Sequence, residues 1–444
     1  MLQRNKPGNP ITPFAVTNYR DIRKRFGIKE KNRRAHMYII GKTGTGKSTL
    51  LQNMIVSDLR DGNGLGVLDP SGDLASGLLD YIPESRIKDV IYFNPGDLEY
   101  PTGFNVLEKV GPDQGHLVSS SLISAFKKIW PEFWGPRLEY ILRNAILTLL
   151  DCPGSSLADI PPLLVDSEVR KRVTERLRNP RLRDFWLKEF EKYSAWLRSE
   201  AASPILNKVG QYLATPLVRN IFGQPRSAFS MSEVLDQKKI LIVNIAKGGI
   251  GEDNCALIGA MIMTQIQQAA MRRHNIPEKE RVPFYLYADE FYNFFTLSFA
   301  DALSEARKYG LGLVLANQYL GQLDEKIRTA VFGNVGTLIS FRVGQEDAKE
   351  LVREFSPVLE EENLVNLPNF DIYLKLMIDG ATSQPFSAVT LLPPESSASY
   401  RREVIQASRQ RYARPRAEVE RELLLKEKRD SAAASRPRAQ TLPL

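Results

Sequence analysis

Cysteine and histidine are almost missing from these 444 residues: Cys152 and Cys255, with His36, His116 and His274, are all there is. Two cysteines cannot build a disulfide framework, and neither C-x-x-C nor H-E-x-x-H occurs, which points to a reducing compartment and no structural zinc. Long apolar runs are also missing. No stretch of 18 apolar residues appears, and the most apolar helix-like segment, 257–266, is interrupted by Thr264 and Gln265. Residues 1–10 are polar, so no signal peptide is expected there. Together these absences imply a cytoplasmic protein without a transmembrane segment, free or peripheral at the inner face of the membrane. No internal repeat is visible. What is present is an ordinary balance, 43% hydrophobic and 25% charged, enough to bury a sizeable core and to fill two or three domains at about 150 residues each.

Net charge is +8, and it is unevenly spread. Residues 1–36 hold ten Lys/Arg against Asp21 and Glu30, and 401–444 hold twelve against six acids, so the segment between them is acidic. Basic ends on an acidic body suggest contact with a polyanion, either nucleic acid or an anionic membrane face. Plainly solvated arms are the alternative. A denser cluster lies inside the chain. Arg170, Lys171, Arg172, Arg176, Arg178, Arg181 and Arg183 face only Glu175 within fourteen residues, a candidate phosphate-contacting surface or a solvated helix face.

From residue 37 the pattern alternates. Residues 37–40, 66–68 and 90–93 are short apolar runs bounded by Gly, Pro or Asp, separated by helical patterns at 47–60 and 73–80. Such alternation predicts βαβ units and a parallel sheet. Between about 115 and 220 strands vanish: Leu138, Ile141, Leu142, Ala145 and Leu149 after Pro136, then Trp186, Phe190, Tyr193 and Leu197, keep helical spacing. Strand-like runs resume at 240–245, 284–287, 311–315 and 335–341, with candidate edge strands at 372–377 and 388–392. The expected organisation is a basic arm (1–36), an α/β domain in two parts (37–114 and 223–395), an all-helical insertion (115–222), and a basic helical or disordered tail (396–444).

Residues 41–48, Gly-Lys-Thr-Gly-Thr-Gly-Lys-Ser, fit G-x-x-x-x-G-K-[ST] between a strand and a helix. Glycines let the backbone N–H groups converge on phosphate oxygens, and the helix N-terminus adds positive potential. Lys47 would neutralise the β- and γ-phosphates of ATP, and Ser48 would ligate Mg²⁺. Such a loop needs an acidic strand end. The run 284–290 supplies it: Asp289 would hold Mg²⁺, and Glu290 would polarise the attacking water. Asn317-Gln318 ends the next strand, where an amide could sense the γ-phosphate or simply form a turn.

Several stretches together resemble one family: Asp69-Pro70-Ser71-Gly72-Asp73-Leu74, Tyr287-Ala288-Asp289-Glu290-Phe291, Ser304 through Gly310 leading to Ala316-Asn317-Gln318, and Gly333-Asn334-Val335-Gly336-Thr337 leading to Phe341-Arg342-Val343-Gly344. They are similar to the conjugative DNA-transfer ATPases, the type IV secretion coupling proteins of the HerA–FtsK superfamily of P-loop motors, over about 36–395. The resemblance implies a RecA-like core with an inserted all-helical domain. It also implies a homo-oligomer, a hexameric ring, with ATP between subunits and non-sequence-specific DNA in the channel. A relaxase or secretion channel is the implied partner. Gly41, Thr43, Gly44, Thr45, Gly46, Lys47, Ser48 and Thr49 match its phosphate loop, Asp289 and Glu290 its magnesium and catalytic pair, and Gln318 its sensor. Arg307 falls where these proteins carry an arginine finger acting in trans. A solvated helix arginine explains it too, and Arg342 is the substitute.

Two departures stand out. Ser71 replaces a histidine often found there, so Asp69 and Asp73 read equally well as a capped turn. Membrane-bound coupling proteins carry N-terminal transmembrane helices, and no such segment is read here. The competing functions are a conjugative DNA translocase, a HerA-like pump in repair, defence or packaging, and a nucleotide-gated adaptor. Glu290 beside Asp289 argues against the last, since a pure switch gains nothing from a positioned base.

Overall fold

The computed structural model describes residues 10–18, 20, 22–108, 115–396 and 398–434. Its contacts divide the chain into two compact units, one made of residues 1–94 and 230–408, the other of 95–229 and 409–444.

In the first unit the strands are β1 (Ile11–Thr17), β2 (Arg25–Lys29), β3 (Met37–Ile40), β4 (Gly64–Asp69), β5 (Val90–Phe93), β6 (Ile240–Asn244), β7 (Phe284–Ala288), β8 (Leu311–Asn317), β9 (Thr337–Ser340), β10 (Asp371–Lys375), the small pair β11 (Met377–Ile378) and β12 (Ala381–Thr382), and β13 (Phe386–Thr390). Eleven form one sheet in the order β2-β1-β13-β10-β9-β3-β8-β7-β4-β6-β5. The seven from β9 to β5 are parallel, and β10, β13, β1 and β2 extend the sheet antiparallel. Parallel strands must be covered on both faces, which is why β3, β4, β6, β7 and β8 are buried along their whole length. The fold is therefore α/β with a mainly parallel central sheet.

The N-terminal segment departs from the expected arm. β1 pairs with β13, and β2 closes the sheet edge beside it, with a register shift between Pro13 and Ala15. Proline cannot donate to a ladder, so an irregular outer strand is where it fits. Three cations of this segment are paired with carboxylates. Arg33, 2% exposed, forms a bidentate pair with Asp58 at 2.6 and 2.8 Å. Lys29 and Lys31 sit 2.8 and 3.0 Å from Asp379. Residues 1–9 lie outside the described residues.

Asp58 belongs to the helix Lys47–Asp61 that follows the phosphate loop. Its carboxylate also accepts from Tyr287 Oη at 2.6 Å, and Arg33 donates to Thr12 Oγ1 at 3.0 Å. The Arg33 guanidinium lies 3.4 Å from the centroid of the Tyr285 ring. Burial alone would lower its pKa, but Asp58 and then Tyr287 raise it, so the group stays charged. One network thus ties β1, the helix Lys47–Asp61 and β7 together. Asp58→Ala is expected to cost about 3–5 kcal/mol in urea unfolding, because a buried cation loses its partner. The double variant Arg33→Met/Asp58→Leu should recover most of that loss; a double variant as unstable as the single one would refute this account.

The second unit is helical among its described residues, with Gly115–Ile129, Pro136–Asp151 and Ala195–Ile205 its long helices before residue 229. It also includes residues 95–114 and 223–229, beyond the expected 115–222. The segment after 396 is more than a solvated tail. Val404 and Val419 on the helices Arg401–Tyr412 and Arg416–Ala434 are fully buried. Arg401 pairs with Asp80 at 2.5 Å, Arg409 with Asp97 at 2.7 Å and Arg414 with Glu422 at 2.6 Å.

Candidate functional site

Parallel pairing places Ile40 opposite Asn317, and Ala288 opposite both Leu68 and Leu315. The residues following β3, β7 and β8 therefore emerge at one edge of the sheet, the edge where open α/β sheets bind ligands. Gly41–Ser48 occupy the end of β3, Asp289 and Glu290 the end of β7, and Gln318 the end of β8.

The loop at 41–48 is shaped for an anion. Gly44 and Gly46 have φ of +77° and +121°, conformations that L side chains rarely adopt. No side chain caps the helix Lys47–Asp61, so its first-turn N–H groups are left for a ligand. Thr45 is buried with its hydroxyl on Lys42 O at 2.7 Å, which leaves only its backbone to contribute. Thr43 and Ser48 are exposed, and Thr49 is half-buried. Lys47, 6% exposed, folds back to donate to Gly41 O at 2.6 Å. Burial lowers its pKa, and Glu290 and Asp289 act the other way.

The acidic pair is held tightly. Asp289 is buried, and its carboxyl is pushed up to about 7, first by desolvation and then by Glu290 and Asp69. Its Oδ2 accepts from Ser48 Oγ at 3.5 Å, so the two candidate cation ligands already converge. Glu290 sits in the left-handed region at φ +43°, and its N–H donates to Asp289 Oδ1 at 3.0 Å. Such a strained, non-glycine turn persists only where the surroundings over-determine it. One Glu290 oxygen, Oε2, is buried without a partner. Burial raises the Glu290 carboxyl, against lowering by Lys47 and by hydrogen bonds from Gln318. Lys47, Ser48, Asp289, Glu290 and Gln318 thus form one constellation, suited to a triphosphate and a hard divalent cation.

Other candidates lie elsewhere. Arg307 is exposed and precedes β8, at the opposite end of the sheet, about 20 Å from Gln318 by strand rise. Arg342 is held by its own chain: it donates to Leu367 O at 3.2 Å and Asn369 Oδ1 at 2.8 Å, while its carbonyl accepts from Lys42 N at 2.9 Å. Asp69 caps a turn, accepting from Ser71 N, Ser71 Oγ and Ala75 N. Within the basic cluster Arg170 is buried, bonded to Glu191 at 2.6 Å and to two backbone carbonyls, so it supports the helical unit instead of facing solvent. Lys171, Arg176, Arg178, Arg181 and Arg183 remain exposed.

The roles of three residues escaped the sequence reading. Phe341 packs against Gly41 so closely that a Cβ there would meet it at 2.5 Å, and Phe370 donates its N–H to Thr45 O at 2.8 Å. Both brace the loop from segments about 300 residues away, beyond any local signal. His36, 1% exposed, accepts from Leu313 N and donates from Nε2 to Leu303 O, both at 3.1 Å. Burial first, then nearby Arg307, push its pKa down to about 4. This neutral ring fastens the helix Leu297–Ala306, which leads into Arg307, to the start of β3.

The family model for the type IV secretion-system coupling protein DNA-binding domain matches residues 25–356. Among solved structures, the plasmid coupling protein TrwB in complex with the non-hydrolysable GTP analogue GDPNP superposes with a TM-score of 0.60 at 17% identity, covering 89% of this chain and 98% of that one. TrwB in complex with ADP and Mg²⁺ gives 0.58 at 18% identity, covering 89% and 98%. VirB4 of Thermoanaerobacter pseudethanolicus gives 0.56 at 14% identity, covering 90% and 99%. At these identities the likeness is one of fold. No curated protein sequence matches the chain. Among the described residues no helix is long and apolar enough to cross a membrane.

Proposed function

Because the chain belongs to the type IV secretion-system coupling protein family, whose model spans most of its length, we propose that it is an ATPase that moves DNA through a ring of its own copies during conjugative transfer. The observation that carries this reading is the convergence of Lys47, Ser48, Asp289, Glu290 and Gln318 at one sheet edge. The structures of TrwB with ADP and Mg²⁺ and with the ATP analogue ADPNP support ATP and Mg²⁺ as the ligands. Ser48 and Asp289 would hold the cation, which supplies positive charge against the phosphates. Lys47 would exchange its hold on Gly41 O for phosphate oxygens. Glu290, with a buried unpartnered oxygen, would take a proton from water oriented by Gln318. A base so placed is of no use to an adaptor that only binds nucleotide.

DNA contact is assigned to the exposed cations Lys171, Arg176, Arg178, Arg181 and Arg183 of the helical unit. Backbone contacts of this kind carry charge but no sequence information. The test is ATP hydrolysis measured with and without single- and double-stranded DNA, together with DNA affinity as a function of salt. We expect DNA to stimulate turnover. Affinity should fall roughly a hundredfold or more from about 50 to about 200 mM salt, with little sequence preference. An affinity indifferent to salt would remove the basic cluster from the mechanism, and hydrolysis untouched by any DNA would remove translocation.

A further inference from the structure

Arg307 is exposed, and among the described residues no hydrogen bond or ion pair engages its guanidinium. Where that side chain can reach is therefore set by the backbone that carries it. That backbone is the end of the helix Leu297–Ala306 and the tighter turn Arg307–Tyr309 that follows. After Arg307 the turn is held by two arginines: Arg281 donates to Lys308 O, and Arg273 to Tyr309 O at 2.9 Å. Before it, one helical turn back, the Leu303 carbonyl accepts from His36 Nε2 at 3.1 Å. The Arg307 N–H, which a regular helix would give to Leu303 O, goes to Glu305 O instead.

Of these three ties only His36 stands immediately before β3, the strand that runs into the phosphate loop. Its own place is fixed from several sides. The backbone is left-handed at φ +59°, a conformation that Asn, Asp and His adopt more readily than other non-glycine residues. His36 N donates to Arg33 O at 3.2 Å, and its carbonyl accepts from Thr337 N, at the start of β9, at 3.3 Å. Leu313 N of β8 donates to Nδ1 at 3.1 Å, so that nitrogen carries no proton and Nε2 must be the donor to Leu303 O. Burial, and then the charge of nearby Arg307, keep a second proton off the ring. A lysine or arginine in this place would offer no acceptor to the Leu313 N–H.

A rigid ring with one donor and one acceptor thus joins strand to helix one turn before the helix ends in Arg307. We propose that His36 is a positioning residue for Arg307: by holding Leu303 O it sets where the guanidinium lies, and hence how it meets the nucleotide of a neighbouring subunit. The proposal rests on the translocase reading with a finger acting in trans, and adds the residue that aims it. His36 touches no nucleotide itself, since it lies at the end of β3 opposite to the phosphate loop.

Rings of the full chain are assembled from two kinds of subunit, and phosphate release is read. Glu290→Gln subunits supply only a finger, and Arg307→Ala subunits supply only an intact hydrolytic site. His36→Asn is then added to one kind at a time. On the finger-supplying subunit it should lower the recovered activity about ten- to a hundredfold, as expected for a misplaced catalytic group. On the hydrolysing subunit it should leave the recovery as it was. His36→Gln should do less harm on the finger-supplying subunit, because its amide nitrogen reaches the place of Nε2, whereas that of Asn stops at the place of Nδ1. A role confined to backbone shape predicts the reverse order, since Asn tolerates the left-handed conformation better. If circular dichroism shows the Asn variant unfolded, His36→Gly takes its place, being free to adopt a positive φ. Equal losses on both kinds of subunit, or a Gln variant no better than Asn, overturn the proposal while the reference rings remain active. Reference rings that co-assemble and regain nothing overturn the finger in trans, and the proposal with it.

Discussion

Glu290→Gln is expected to bind ATP as the parent chain does and to hydrolyse it at least about a hundredfold more slowly, the loss typical of a removed general base. The substitution keeps the size of the side chain and its capacity to hydrogen-bond Gln318, and removes only the basic carboxylate. Lys47→Ala should fail earlier, at binding or at any measurable turnover. The Lys47 ammonium is the one buried cation within the constellation, and burial together with two facing carboxylates fixes its place. Fluorescent-nucleotide binding and phosphate release, measured on both variants, separate the two steps. Turnover at the parent rate by Glu290→Gln would exclude Glu290 as the base.

Rings mixed from Arg307→Ala and Glu290→Gln subunits are expected to regain part of the activity that each variant lacks alone. The residues assembled at one chain's sheet edge account for phosphate, cation and water, but beyond Lys47 they bring no second cation to the charge that develops on the γ-phosphate in the transition state. An arginine finger adds about 10³–10⁵ in rate where it is used. Arg307 is exposed at the far end of β8, so it is out of reach of its own phosphate loop. Arg342 is engaged by Leu367 and Asn369 beside that loop and has no comparable freedom. In a mixed ring some intact Glu290 sites adjoin a subunit that still carries Arg307, and those sites should turn over. No recovery despite proven co-assembly would count against a finger in trans, and full activity of Arg307→Ala alone would end its role.

Local chemistry was legible from the chain. The phosphate loop is a matter of spacing over eight residues, and the acidic pair of an apolar run ending in Asp289 and Glu290. Apolar runs bounded by turns were enough to expect a parallel sheet, because strands buried on both faces need no alternation. Residues 1–36 were not legible in this way. β1 and β2 are half-buried outer strands whose neighbour β13 begins more than 350 residues away. Their alternation is weak, and Pro13 argues against a strand. Charge counting misled for a related reason: Arg33 and Arg170 count the same as any solvated arginine, yet both are buried against carboxylates.

By itself the sequence determined the nucleotide-binding chemistry, the helical block and the alternation of strands and helices from residue 37, since each depends on residues within a few turns of one another. Only the tertiary structure decided which cations face solvent, which strand edges meet, and how the loop is braced by Phe341 and Phe370. It also decided the left-handed backbone at Glu290 and the distance that separates Arg307 from its own site. These depend on contacts between segments hundreds of residues apart, and periodicity carries no information about which distant segment a strand or a charge will meet.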